Sequence, residues 1–121
     1  MRNLVILGGG TGGTIAANRL RRRLDVHAWT VTVVDQDDDH IYQPGLLLLP
    51  FGGYDVKDLV RPRGHYLTDG VDLVLADIDR VDAESGQVRL AGGRTLDYDY
   101  LVIATGTSPR PDQTPGMLGA E

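Results

Sequence analysis

Residues 5–13 read Val5-Ile6-Leu7-Gly8-Gly9-Gly10-Thr11-Gly12-Gly13, an apolar run that enters a glycine-rich turn. A stretch rich in Ala, Leu and Arg follows, and a second apolar run, Val31-Thr32-Val33-Val34, ends on Asp35. A strand, a glycine turn, a helix and a second strand in this order predict a βαβ unit. The remaining sequence is interpreted around this unit.

The glycine spacing indicates a binding site as well as a turn. Gly8, Gly10 and Gly13 match the pattern G-x-G-x-x-G. The first glycine allows the tight turn, the second lets backbone approach a pyrophosphate, and the third lets the helix pack closely on the strand. Free N–H groups at the positive end of the helix would receive the phosphate charge. These groups belong to Gly10, Thr11, Gly12 and Gly13.

Asp35 supports the same interpretation. It lies 22 positions after Gly13, close to the ~20 expected for the carboxylate that binds an adenosine ribose. An acid there accepts hydrogen bonds from the two ribose hydroxyls and repels a 2′-phosphate, which favours FAD or NAD over NADP. The alternative is a glycine turn with a purely structural role.

Composition limits the other classes of function. The chain has 121 residues, which predicts one domain, and a net charge of −5, which argues against nucleic acid or an anionic membrane surface as a main partner. The absence of Cys excludes disulfides and thiol chemistry from these residues. We find no pattern for a metal site or a catalytic nucleophile. No apolar run reaches the ~20 residues of a membrane span, so we expect a soluble, cytoplasmic chain.

The predicted fold is α/β, with a small parallel sheet, one principal helix and a β-meander or hairpin, in three layers. The helix is expected from Thr11 to about Leu24, and its expected sheet-facing residues are Ile15, Ala16, Leu20 and Leu24. The expected strands are 3–7, 29–34, 71–75, 78–81, 87–90, 94–96 and 100–104. We expect the third, first and second parallel strands side by side in that order, with strand 100–104 on the outer side.

Three polar and apolar segments have simple expected roles. Asp37 to Asp39 should be a solvated acidic loop, and the arginines near the end of the first helix should lie in solvent. Leu46 to Leu49 predict a short, buried helical turn, since an exposed leucine run would need a partner. Asp55 is the expected N-cap of a short helix that extends through Val60.

Residues 95–106 and 40–52 carry a resemblance to a known family. The strand ending in Ala104-Thr105-Gly106 resembles the Ala-Thr-Gly strand of flavoproteins with two dinucleotide-binding domains. The stretch His40-Ile41-Tyr42-Gln43-Pro44-Gly45 resembles the segment after the ribose acid in sulfide:quinone oxidoreductases, and type II NADH:quinone oxidoreductases have a similar one. The resemblance covers nearly all of the chain and favours FAD as the cofactor.

The resemblance implies roles for further residues. By position, the backbone at Gln43 and Pro44 would touch the isoalloxazine side of the flavin, and Ile78 would contact the adenine through its main chain. Ala104 would bring small side-chain bulk against the cofactor, while Thr105 and Gly106 would lie near the pyrophosphate and ribitol.

The resemblance also implies that the chain is a fragment. The family continues into a second nucleotide-binding domain and a C-terminal part that supplies the quinone and membrane contacts, with cysteines for sulfide oxidation. We therefore expect residues 1–107 to form an incomplete FAD-binding domain without turnover of its own, and residues 108–121 to be an irregular tail or linker. The parent would pass electrons from sulfide, or from NADH, through FAD to quinone, and its expected location is the cytoplasmic membrane face.

Two alternatives belong to other classes of protein. One is a free-standing module that binds an adenine nucleotide without redox chemistry. The other is self-association of the chain through surfaces such as Leu46 to Phe51.

Overall fold

The computed structural model describes residues 1–119 and contains nine strands and two α-helices in that range. The helices are α1 (Thr11–Arg21) and α2 (Val56–Leu59), and 3₁₀ segments cover Gln43–Phe51, Arg63–Tyr66 and Pro111–Gln113. The strands are β1 (Arg2–Leu7), β2 (Trp29–Asp35), β3 (Asp39–Ile41), β4 (Val60–Pro62), β5 (Asp72–Leu75), β6 (Ile78–Asp82), β7 (Gln87–Leu90), β8 (Thr95–Asp97) and β9 (Tyr100–Ile103). None of these helices is long and apolar enough to cross a membrane.

A parallel sheet of four strands forms the centre of the fold, in the order β5–β2–β1–β9. Ile6 of β1 pairs with Val33 of β2 on one side and with Val102 of β9 on the other. The two central strands are buried on both faces, which explains their continuous apolar runs. The expected order of the first three strands was wrong. The second strand lies between the first and the third, and the strand that precedes Ala-Thr-Gly lies on the outer side as expected.

Helix α1 covers one face of this sheet through its small residues. Gly13, Thr14 and Ala17 are buried against a core that includes Ile6 and Val33. The expected inward position of Ile15 was wrong, because its side chain is 50% exposed. Close packing of the helix requires its smallest residues at the contact, and this displaces the larger Ile15 from the inner face.

Arg21 at the end of α1 also departs from the expectation that the terminal arginines lie in solvent. It is buried, and its guanidinium donates to the carbonyl oxygens of Leu24 (2.8 Å) and Trp29 (2.9 Å). These bonds hold the chain between α1 and β2 against the end of the helix.

The other face of the sheet is covered by the antiparallel strands β6, β7 and β8. Val88 and Leu90 of β7 pack on Val5, Leu7 and Val34 of the parallel sheet. Helix, parallel sheet and antiparallel meander thus form the three predicted layers.

Residues 39–66 form a separate segment that belongs to none of the three layers. Within it, β3 and β4 form an antiparallel pair. The leucine run is helical, in the 3₁₀ segment Gln43–Phe51, but the prediction that it is buried was wrong: Leu47 is 77% and Phe51 is 85% exposed. Asp55 caps α2, as expected, and its N–H donates to the carboxylate of Asp58 at 3.0 Å.

Candidate functional site

The glycine turn lies where β1, β2 and β9 end side by side. The N–H of Gly8 donates to the carbonyl of Val34 in β2, at 2.8 Å, and the N–H of Ala104 donates to the carbonyl of Leu7 in β1, at 2.7 Å. Gly8 has a φ of +95°, and a Cβ there would lie 2.6 Å from the carbonyl carbon of Ala104. Both the backbone conformation and the close approach of β9 therefore require glycine.

The other two glycines of the pattern differ in their surroundings. A Cβ on Gly13 would collide with the carbonyl group of Gly8, so this glycine sets the close contact between helix and strand. Apart from the adjoining backbone, a Cβ on Gly10 or on Gly12 would have no atom of residues 1–119 within 4 Å. The space beside these two residues is open, as a ligand approaching the backbone requires.

Within the described part of the chain, the first N–H groups of α1 have no acceptor. Gly10 is the N-cap, no side chain caps the helix, and its first turn contains no acidic residue. The first helical bond runs from the N–H of Thr14 to the carbonyl of Gly10, at 2.9 Å. The N–H groups of Thr11 and Gly12 precede that bond, and together with the helix dipole they can donate hydrogen bonds to an anion.

Asp35 ends β2 next to this turn, with its side chain 14% exposed. Its Oδ2 accepts the N–H of Gly9 at 2.6 Å, and its Oδ1 accepts the N–H of Gln36 at 2.7 Å and lies 3.2 Å from Nη2 of Arg63. A carboxylate has about four acceptor positions, so about one remains for a ligand hydroxyl. A contact with both ribose hydroxyls would require one of these donors to move.

Arg63 belongs to the site and was missed by the sequence reasoning. Its side chain is 11% exposed, and its Nε and Nη2 donate to the carbonyl and the carboxylate of Asp37 at 2.7 and 2.8 Å. Its Nη1 donates to the carbonyl of Gly9 at 2.9 Å. No motif marks Arg63; the only signal is an arginine placed beyond a cluster of aspartates that needs a counter-charge.

The acidic segment after β2 is exposed, as expected, and two of its residues, Asp37 and Asp38, are in addition hydrogen-bonded to Arg63. The N–H of Asp39 donates to the carboxylate of Asp37, and this bond, followed by the hydrogen bond and charge of Arg63, lowers the pKa of Asp37. The N–H of Arg63 also donates to the carbonyl of Asp38, at 2.9 Å. Asp39 itself begins β3.

Two adjoining cavities lie over the ends of the parallel strands. The larger, of about 570 Å³, is bounded by the glycine turn, Asp35, Arg63 and the segment after β9. The smaller, of about 280 Å³, extends along β2 and the residues between β5 and β6. Gly8, Asp35, Gln36, Thr105 and Ser108 line both. A topological switch point of this kind, outside the carboxyl ends of parallel strands, is where open α/β sheets bind ligands.

The structure brings most of the residues expected at the site to these cavities. The larger cavity is lined by Gly8, Gly10, Thr11, Gly12, Asp35, Gln43, Ala104, Thr105 and Gly106. Ile78 lines the smaller one. Gly13 and Pro44 line neither, and Gly13 acts through packing instead. Gln36, Thr107 and Ser108 line the larger cavity and were missed, because small or flexible polar loop residues carry no distinctive pattern.

Comparison with known proteins identifies the family of this chain. The family model described as "Pyridine nucleotide-disulphide oxidoreductase" matches residues 2–121. The mitochondrial sulfide:quinone oxidoreductase of Mus musculus is 31% identical over 103 residues, covering 85% of this chain and 22% of the relative. The type II NADH:quinone oxidoreductase of Haemophilus influenzae is 32% identical over 133 residues, covering 97% of this chain and 29% of the relative.

The solved structures agree in fold. The sulfide:quinone oxidoreductase of Aquifex aeolicus superposes with a TM-score of 0.77 at 24% identity, covering 89% of this chain and 25% of that one. The chain thus spans about a quarter of the length of the relatives it matches. It belongs to the pyridine nucleotide-disulphide oxidoreductase family and, as the sequence predicted, resembles the N-terminal segment of its sulfide:quinone oxidoreductase-like flavoproteins.

Proposed function

We propose that this chain is the FAD-binding part of a flavin-dependent oxidoreductase of the sulfide:quinone oxidoreductase type. The ADP half of FAD would bind at the glycine turn and Asp35, with its pyrophosphate at the N-terminus of α1. The observation that carries the proposal is an uncapped helix N-terminus that opens onto the larger cavity, beside a carboxylate at the end of β2.

The residues present fit such a group. Open space at Gly10 and Gly12 admits a pyrophosphate against the backbone, and the N–H groups of the first helical turn supply donors for its charge. The smaller cavity, with Ile78 on its wall, has room for an adenine. Gln43 and the segment Ala104–Gly106 would face the remainder of the cofactor.

In the parent protein, the bound flavin would accept two electrons and pass them to quinone. The residues of this chain would bind and orient the cofactor, and none of them is proposed to act on a substrate. Residues 1–107 form the proposed binding unit, with 108–121 as a tail or linker; residues 120 and 121 lie outside the described residues. The cytoplasmic location and the membrane contacts of the parent stay predictions.

The electron donor defines a second candidate. A type II NADH:quinone oxidoreductase is favoured by a relative that is 32% identical over 97% of this chain, against sulfide:quinone relatives at 31% and 29%. Sulfide or NADH would then reduce the same flavin, because the proposed cofactor site is common to both candidates.

The visible absorption spectrum of the purified chain, followed by titration with FAD and with ADP, tests the proposal. Flavin bands that copurify, or saturable binding of FAD, are the expected results. Binding of ADP without FAD would leave a nucleotide site and refute the proposal that this chain by itself binds FAD. Binding of neither ligand would refute both.

A further inference from the structure

The carbonyl oxygen of Gly9 accepts hydrogen bonds from two buried side chains, and a ring nitrogen of His40 lies nearby. Nη1 of Arg63 donates to it at 2.9 Å and the hydroxyl of Thr14 at 3.0 Å, while Nδ1 of His40 lies 3.2 Å away. Arg63 and Thr14 are both buried, at 9% and 8% exposure. Gly9 is not one of the three glycines of the turn pattern.

Fixing this carbonyl also fixes the next N–H. The Gly9–Gly10 peptide is trans, and in a planar trans peptide the C=O and N–H bonds point in opposite directions. The donors at Gly9 therefore turn the N–H of Gly10 away from Arg63 and Thr14. Among residues 1–119, no acceptor is found for that N–H, and Gly10 lines the larger cavity.

We propose that Arg63 and Thr14 are positioning residues for the pyrophosphate site: by holding the Gly9 carbonyl, they aim the Gly10 N–H at the ligand phosphate. The inference rests on the proposed nucleotide site and names residues outside the glycine pattern that control it. The charge on Arg63 makes its bond the stronger of the two, because charge-assisted hydrogen bonds exceed neutral ones.

The loss of Arg63 should affect the phosphate site and the ribose site differently. Arg63 also lies 3.2 Å from Oδ1 of Asp35, so its removal would free an acceptor position there. Loss of Arg63 should therefore weaken phosphate binding without weakening ribose binding. A variant that only loosened the fold would weaken both.

The test compares ADP with adenosine, by calorimetric titration, in the full 121-residue chain. For Arg63→Met we expect ADP to bind roughly 10- to 100-fold more weakly, the range for a lost charge-assisted hydrogen bond. For Thr14→Val, which keeps the shape of the side chain, the expected loss is roughly two- to tenfold. The dissociation constant of adenosine should change by less than about threefold in both variants, since the ribose contact to Asp35 is retained.

Arg61→Met is the matched control, because Arg61 lies two residues away on β4, is exposed, and donates to carbonyls of Lys57 and Val60. It should bind both ligands as the unaltered chain does. Equal losses for ADP and adenosine, or an unchanged affinity for ADP in Arg63→Met and Thr14→Val, would overturn the inference while leaving the nucleotide site intact. If Arg63→Met fails to fold, Thr14→Val alone decides between these outcomes. Failure of the unaltered chain to bind ADP would overturn the proposed function along with it.

Discussion

The contact between helix α1 and the glycine turn can be tested by adding one methyl group at each of two adjacent positions. Gly12 and Gly13 both lie in the first turn of α1, so replacement by Ala gains similar helix propensity at each. A Cβ at position 13 would collide with the carbonyl of Gly8 and lie 2.9 Å from its carbon, whereas a Cβ at position 12 meets no atom of the described residues within 4 Å beyond its adjoining backbone. The difference between the two variants therefore isolates the collision.

The magnitude follows from the cost of overpacking. Forcing an extra methyl group into a filled contact costs about 1–3 kcal/mol. The atoms that the new methyl group meets belong to the backbone of a turn that β2 and β9 hold in place, so the helix itself has to move. We expect Gly13→Ala to be about 1–3 kcal/mol less stable than Gly12→Ala, which corresponds to a midpoint roughly 4–12 °C lower in a domain of this size.

Urea and thermal unfolding measure this difference. Far-UV circular dichroism reports on the helix, and the fluorescence of Trp29, the single tryptophan, reports on the first residue of β2. Equal unfolding free energies for the two variants would refute the reasoning, because they would show that α1 does not lie as close to the turn as the structure has it.

Three further predictions concern the ligand and the acidic segment. Gly10→Val should abolish binding of ADP and FAD while leaving the thermal midpoint within a few degrees, since its side chain enters the open space; retained FAD binding would contradict the proposed position of the pyrophosphate. Asp35→Ala should weaken ADP binding by ~1–3 kcal/mol in a calorimetric titration, the cost of unpaired ribose hydroxyls, and an unchanged affinity would exclude the ribose role. The lowered pKa of Asp37 means that its ionised form stabilises the fold at neutral pH, and that this contribution is lost as the pH falls below about 4. Urea midpoints of the unaltered chain and of Asp37→Asn should accordingly differ at pH 7 and converge towards pH 3. A difference that stayed constant with pH would contradict the stabilising role of the ionised Asp37.

The sequence was sufficient for the elements whose pattern reflects their own burial. The central strands are buried on both faces, so their continuous apolar runs identify them, and the glycine spacing locates the turn between β1 and α1. The order of the strands was harder, because a parallel crossover can place the next strand on either side of the first. The same pattern of apolar runs is compatible with both.

The prediction of burial failed for side chains whose burial depends on other elements of the fold. Ile15 looks like a core residue by spacing, yet the small residues Gly13 and Ala17 take the contact because the helix lies so close to the sheet. Arg63 looks like a surface residue, and it is buried because the fold brings carbonyl and carboxylate acceptors to it. An acceptor located 26 or 54 residues away leaves no local signal.

The leucine run shows the converse case. Its composition indicates burial, but the described residues do not cover it, and Leu47 and Phe51 remain exposed. Self-association through this surface stays a prediction.

The pairing of β1 with β9 has a consequence for the order in which the molecule folds. Leu4 is paired with Tyr100, so the wall formed by Ala104 and Thr105 joins the glycine turn only after almost a hundred residues of chain have been brought together. Contacts between residues so far apart in sequence form late and slowly, because the entropy of loop closure is lost before the contacts contribute any stability. A ligand held between the turn and this wall would bind the native chain in preference to chains in which β9 has not yet docked. A higher nucleotide concentration would then lower the fraction of chains in which β9 is detached from the sheet, by mass action.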